Sequence, residues 1–456
     1  MRRAILAAFL LMAPLLPASA AQAAPVITGA PTVGLVIDWE MPERFGIDED
    51  GDGLVDLPNT VEYVHGRMPG SCPSGCRQAL FPIRLLAQGV VTAPTSDGSR
   101  IGLPIASYEW RIRGQGLDLH RWSSRPELAL VLPEGEYSVA LTLRAKAPFG
   151  TVTLRTFGTA VVDDILVVAL GDSYASGDGN PEVPDAGAGE LWAEGGVDAA
   201  SDADHADARR STVAWPSRVA MALERTDRRT SVTFVSLATS GATIDGGVAG
   251  PDSGRPPQVR QAGTLVGARR VDLVLLSIGG NDVGFSEVVR ALVDADPLLD
   301  PVCYDLDVEH AFASAVDGDW TRDTTARYRA PFSLECRATT RNGKQLPGLA
   351  GLGAAFDRLA SALTGLDASR VVITEYPDPS GGGTCSEIVG DAVPWPRLHE
   401  IDRPEQAAGI AGVLEPLNRT IADAARRHDW TLVSGIAAAF ADGHAYCASW
   451  PDYGYP

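Results

Sequence analysis

The chain has 456 residues, a formal net charge of −20 and 45% hydrophobic residues. That length exceeds what one hydrophobic core usually serves, so two or more domains are expected, with ample apolar content to fill them. The acidic balance, with no concentrated basic patch, argues against a nucleic-acid binder, because a polyanion would be repelled.

The N-terminus reads Met1-Arg2-Arg3, then an apolar run from Ala4 to Leu16, then small residues ending in Ala18-Ser19-Ala20 and Ala21-Gln22-Ala23. A positive start, an apolar stretch too short to span a bilayer and Ala-x-Ala cleavage sites predict a secretory signal peptide over 1–23. Charges, Pro or Gly interrupt every later apolar run, so no transmembrane segment is expected. The mature chain is expected to be secreted, extracellular and monomeric.

Residues 24–62 carry Asp48-Glu49-Asp50-Gly51-Asp52-Gly53-Leu54-Val55-Asp56, with carboxylates at alternate positions. Hard oxygen ligands at that spacing suit Ca²⁺, with Asp48, Asp50, Asp52 and Asp56 as ligands of a structural ion. The segment resembles a dockerin or EF-hand loop through its ninth position, but Asn59 stands where that loop has its closing Glu. The alternative is an acidic, solvated turn. Six cysteines in an exported chain read as three disulfides. Their positions suggest Cys72 with Cys76, Cys303 with Cys336, and Cys385 with Cys447, the connectivity staying open. Zinc is the weaker reading, since no His lies at ligand spacing beside the single Cys-x-x-x-Cys pair.

Residues 63–160 show short alternating segments, such as Ser107 to Ile112 and Tyr137 to Arg144, separated by Gly, Pro and Asp turns. This is an antiparallel pattern, and it looks like a PKD-type or immunoglobulin-like sandwich, smaller than the C-terminal region and serving as a spacer. From 161 to 456 the grammar changes to α/β. Strands are expected at Ile165–Leu170, Val232–Leu237, Val271–Ile278, Val371–Tyr376 and Trp430–Val433. Helices are expected around Ala214–Glu224, Phe285–Ala295, Leu352–Leu363 and Pro404–His428. Strand, helix, strand repeated five times predicts a doubly wound, flavodoxin-like parallel sheet of five strands with ligands at their carboxyl ends. Asn180–Ala208 and Pro301–Pro347 read as long insertions that shape a cleft.

The first of those strands ends in Gly171-Asp172-Ser173, followed by Tyr174-Ala175-Ser176-Gly177. A serine there is presented at the sheet's carboxyl edge, where a sharp turn and free helix N–H groups favour a developing oxyanion. Thr239-Ser240-Gly241-Ala242-Thr243 comes after the second strand and Ser277-Ile278-Gly279-Gly280-Asn281-Asp282 after the third. Each motif alone is as well explained by a turn or loop. Together, in this order, they resemble the sequence blocks of the SGNH (GDSL-type) hydrolases. Gln258 and Gly284-Phe285 point to the secreted actinobacterial branch. The resemblance implies an esterase or lipase that needs no cofactor, with Ser173 as nucleophile and an oxyanion hole from the N–H groups of Ser173 and Gly241 and the Asn281 side chain. Its substrate would be a carboxylic ester, of a lipid or of a small acyl group.

The family expects Asp-x-x-His near the C-terminus as base, and none of the three C-terminal histidines, His399, His428 and His444, has an aspartate three residues before it. His444, after the last strand, is the best-placed base, with Asp442 or a main-chain carbonyl to fix its tautomer. In related sequences a Gly-His-x-x-Cys segment of this kind precedes a further His-Pro that carries the catalysis, so the base is either His444 or lies past Pro456. The competing reading is a secreted surface-binding protein whose hydrolase domain has lost its base.

Overall fold

A computed structural model of the protein describes residues 26–42, 80–148, 150–180, 208–252, 254–267, 269–293, 304–322, 324–329, 333–338, 343–378 and 409–441. The signal peptide, the acidic loop with Asp48, Asp50, Asp52 and Asp56, most of the insertion at 180–208, and His444 lie outside the described residues. So do Cys72, Cys76, Cys303, Cys385 and Cys447, and the side chain of Cys336. No helix among the described residues is long and apolar enough to cross a membrane.

The chain divides into two units, one of Met1–Asp38, Leu85–Leu128 and Tyr137–Ala160, the other of Trp39–Arg84, Ala129–Glu136 and Val161–Pro456. Eight strands come first along the chain: β1 (Thr32–Glu40), β2 (Phe81–Pro94), β3 (Arg100–Gly102), β4 (Ile105–Gly114), β5 (Leu117–Ser123), β6 (Glu127–Leu132), β7 (Gly135–Ala147) and β8 (Gly150–Gly171). β2 has β1 and β3 as neighbours and also pairs with β6. β4 lies antiparallel between β5 and β7. Gln115 and Gly116, both with positive φ, make the two-residue turn that joins β4 to β5; backbone of that kind matches the right-handed twist of the flanking strands. Alternate residues fill the core of the first unit, where Trp110 faces Leu141 in register and both are fully buried.

In the second unit the polypeptide runs from β8 through α1 (Ser173–Ser176), α2 (Trp215–Thr226), β9 (Thr230–Ser236), α3 (Gln258–Val266), β10 (Leu273–Ser277) and α4 (Phe285–Val293). It continues through α5 (Tyr304–Asp317), β11 (Thr324–Arg329), β12 (Ser333–Ala338), α6 (Gly348–Leu363), β13 (Val371–Thr374), α7 (Glu415–Arg427), β14 (Thr431–Val433) and α8 (Ile436–Ala441). The pairings of β9 with β8, β8 with β10, β10 with β13 and β13 with β14 are all parallel. The five expected strands therefore pair as a parallel set, but they do not make up the whole sheet. β8 extends 22 residues and also neighbours β7, so the sheet has eight strands and is mixed.

The run Leu166-Val-Val-Ala-Leu170 is buried throughout, as a parallel strand covered on both faces must be. Leu166, Val168 and Leu170 join one cluster with Val259, Ala262 and Val266 of α3, Phe356 and Leu359 of α6, and Leu417 and Ile421 of α7. Val167 and Ala169 point the other way, to Ala220 of α2. Burying each large side chain of this kind contributes about 1.5–3 kcal/mol.

Two expectations need correction. The segment 301–347 is not a structureless insertion: it contains α5 and the antiparallel hairpin of β11 and β12. Helix α5 buries Val308, Ala311 and Ala315, spaced three and four apart, and the small alanines hide that period. Helix α3, only 9 residues long, is likewise absent from the expected elements. Its buried stripe is Val259, Ala262 and Val266.

Candidate active site

β8 ends at Gly171 with φ 137°, and a Cβ there would lie 2.1 Å from the Ser277 carbonyl oxygen. Only glycine lets β8 approach β10 this closely at its last residue. Register puts Gly171 opposite Ser277. The Asp172 N–H donates to the Ser277 carbonyl at 3.0 Å, and the Thr239 N–H donates to the Gly171 carbonyl at 3.0 Å. The turns after β8, β9 and β10 are thus stitched side by side. Gln258, 2% exposed, clamps the same residue from α3: the Gly171 N–H donates to its Oε1 at 2.8 Å and its Nε2 donates to the Gly171 carbonyl at 2.9 Å.

Asp172 caps α1, its Oδ1 accepting from the Tyr174 N–H at 3.0 Å. Its Oδ2 accepts from the Tyr376 hydroxyl. The Tyr376 oxygen in turn accepts from the Gly280 N–H at 2.8 Å. Asn418 on α7 holds the Tyr376 backbone, accepting from its N–H at 2.8 Å and donating to its carbonyl at 2.9 Å. This relay joins the residue before Ser173 to the residue before Asn281. Gly280 has no alternative, because a Cβ there would lie 2.7 Å from the Tyr376 ring. Burial pushes the Asp172 carboxyl up to about 7, against the hydrogen bonds from Tyr376 and the Tyr174 N–H that pull it down. Burial also raises the Tyr376 hydroxyl well above its usual value, so it stays a donor.

Asn281 opens a one-turn 3₁₀ segment, Asn281–Val283. Its Nδ2 donates to the Ala242 carbonyl at 3.0 Å, which fixes the amide and leaves its second hydrogen free to point elsewhere. Asp282 is fully buried, both carboxylate oxygens accepting from the Ile244 N–H at 3.1 and 3.0 Å. Burial pushes this carboxyl up to about 7, and the Ile244 N–H opposes the shift. Gly241 has φ 82°, is exposed, and has open space where a Cβ would stand. Gly241 and Asn281 line one cleft of about 840 Å³. Ser173 is half-buried at the first position of α1 and is not among the residues lining that cleft.

Of the seven histidines, three are described, and none hydrogen-bonds Ser173. His120 pairs with Glu109, His310 is buried on α5, and His428 ends α7, where it pairs with Asp357 at 2.9 Å. Tyr376 and Asn418 are site residues that sequence reasoning misses. The only local signal is their place, Tyr376 just past the end of a buried strand and Asn418 on an amphipathic helix.

A set of parallel strands that delivers a capped Gly-Asp-Ser turn, a glycine loop and a Gly-Gly-Asn loop to one edge is an arrangement suited to acyl transfer. The GDSL-like lipase/acylhydrolase family matches residues 169–455, more than half of the chain, and the protein belongs to that family. A search of curated proteins finds no match.

Proposed function

We propose that the protein is a secreted serine esterase in which Ser173 attacks the carbonyl carbon of a carboxylic ester. The Ser173 Oγ forms a bond to carbon as its proton passes to a histidine, for which His444 is the candidate. The oxyanion is held by the N–H groups of Ser173 and Gly241 and by the free amide hydrogen of Asn281. Collapse of the tetrahedral species breaks the bond to the alkoxide, which leaves with the proton, and water then hydrolyses the acyl-enzyme. The PKD-like β region serves as a spacer, and Asp48, Asp50, Asp52 and Asp56 hold a structural Ca²⁺ if chelators lower the melting temperature.

The observation that carries this reading is the register of Gly171 against Ser277, locked by the Asp172 N–H, which sets the Ser173 and Asn281 turns side by side. Three donors aimed at one developing charge are what acyl transfer needs. Asn281→Ala should lower kcat by about 10²-fold or more with little change in KM, as for loss of one oxyanion donor. Unchanged turnover of 4-nitrophenyl acetate in that variant would remove Asn281 from the site.

A further inference from the structure

The cleft beside Gly241 and Asn281 has walls of an unusual kind for a ligand pocket. Such pockets are lined predominantly by apolar and aromatic side chains, with a few polar groups for orientation. Here the apolar side chains are Leu346, Pro347 and Ala354, and none is aromatic. Helix α6 presents Gly351, Ala354 and Arg358 to the cleft, three and four residues apart and so on one face. The small residues at 351 and 354 leave room, and the Arg358 guanidinium forks onto both oxygens of Asp245 beyond them. Thr243 and Ser286 add hydroxyls, and Lys344 and Gln345 stand exposed in the segment before α6.

We infer that this cleft receives a hydroxyl-rich alcohol, so that the ester cleaved is one borne by a sugar-like polyol; the inference rests on the assignment of Ser173, Gly241 and Asn281 to the reacting centre. A fatty chain in this cleft would strip water from charged and amide groups and return no hydrogen bond to them. An anionic headgroup would meet Asp245 and Asp252 as well as Lys344 and Arg358, two charges of each sign, with no net attraction. A polyol suits both signs at once, because each hydroxyl donates to carboxylates and accepts from ammonium, guanidinium and amide groups.

The test holds the acyl group constant and varies the alcohol. The full-length protein is assayed on 6-O-acetylglucose, on hexyl acetate and on 4-nitrophenyl acetate, together with Lys344→Ala and Arg358→Leu. Arg358 and Asp245 are both exposed, so neither variant removes a buried partner. The expected result is a kcat/KM for 6-O-acetylglucose at least about tenfold above that for hexyl acetate, and a loss in each variant about tenfold greater on the sugar ester than on 4-nitrophenyl acetate. Hexyl acetate cleaved as well as or better than the sugar ester overturns the inference, as do variants that depress both substrates equally. Failure of the parent to turn over even 4-nitrophenyl acetate would overturn the serine-esterase reading itself, and this inference with it.

Discussion

Asp172 does two jobs with one carboxylate: it caps the helix that presents Ser173, and through Tyr376 it reaches the N–H of Gly280 beside Asn281. Tyr376→Phe keeps the ring packed against Tyr174 and Phe285 and removes only the hydroxyl. It should lower kcat about tenfold while KM stays within about twofold, because the hydroxyl touches no substrate but sets the distance between nucleophile and oxyanion donors. Equal loss in kcat and in melting temperature, with KM rising in step, would reduce the tyrosine to a structural role. At this scale the sequence is half legible. The strand-end places of Ser173, Gly241 and Asn281 can be read because the motifs that mark them lie in immediate neighbours. Tyr376 cannot, since its partner Asp172 is 204 positions away and nothing local to a tyrosine after a strand announces a bond to a buried carboxylate.

The elements divide along the same line. The five apolar runs of the parallel set are found within one or two residues of their expected ends, except at β8, which alternates as far as Asp164 and is continuously buried only over Leu166–Gly171. A uniform apolar run marks only that last stretch. Helix α5 escapes because alanine contributes little to a hydropathy period although it packs as closely as a larger residue, and α3 because it is only 9 residues long. Helix α3 also shows why such an element matters to the site, since its first residue is the clamp on Gly171. Gln258→Leu leaves the Gly171 N–H buried without its acceptor, while the carbonyl keeps the Thr239 N–H. An unsatisfied buried donor costs about 1–3 kcal/mol, so the urea midpoint should fall with the m-value unchanged. An unshifted midpoint would show that the clamp is dispensable.

Across the whole molecule, the net charge of −20 and the two buried carboxyls act in the same direction with pH. Asp172 and Asp282 have carboxyls pushed from the ordinary 3.8 up to about 7 by burial. Each binds its proton more tightly folded than unfolded, so the stability they contribute is complete below about pH 4 and is lost as pH rises to about 7. The exposed Asp97 and Asp118, lowered to about 2 by their hydrogen-bond partners, have the opposite sign but are screened by solvent. Thermal melts should therefore give a lower melting temperature at pH 8 than at pH 5, and Asp282→Asn should flatten that slope. A melting temperature that rises over this range in the parent would mean that the two carboxyls are not held as the site geometry implies.

In the proposed function, the strand-end turn at Gly171-Asp172-Ser173 presents an activated serine beside the Asn281 loop. Reaction of the full-length protein with a fluorophosphonate probe, followed by peptide mass spectrometry, tests it most directly, because only an activated hydroxyl is modified at an appreciable rate. A single adduct is expected on the peptide containing Ser173, absent after Ser173→Ala and much slower after Asn281→Ala. An unmodified Ser173 in folded protein, or an adduct formed equally well on another serine, would contradict it.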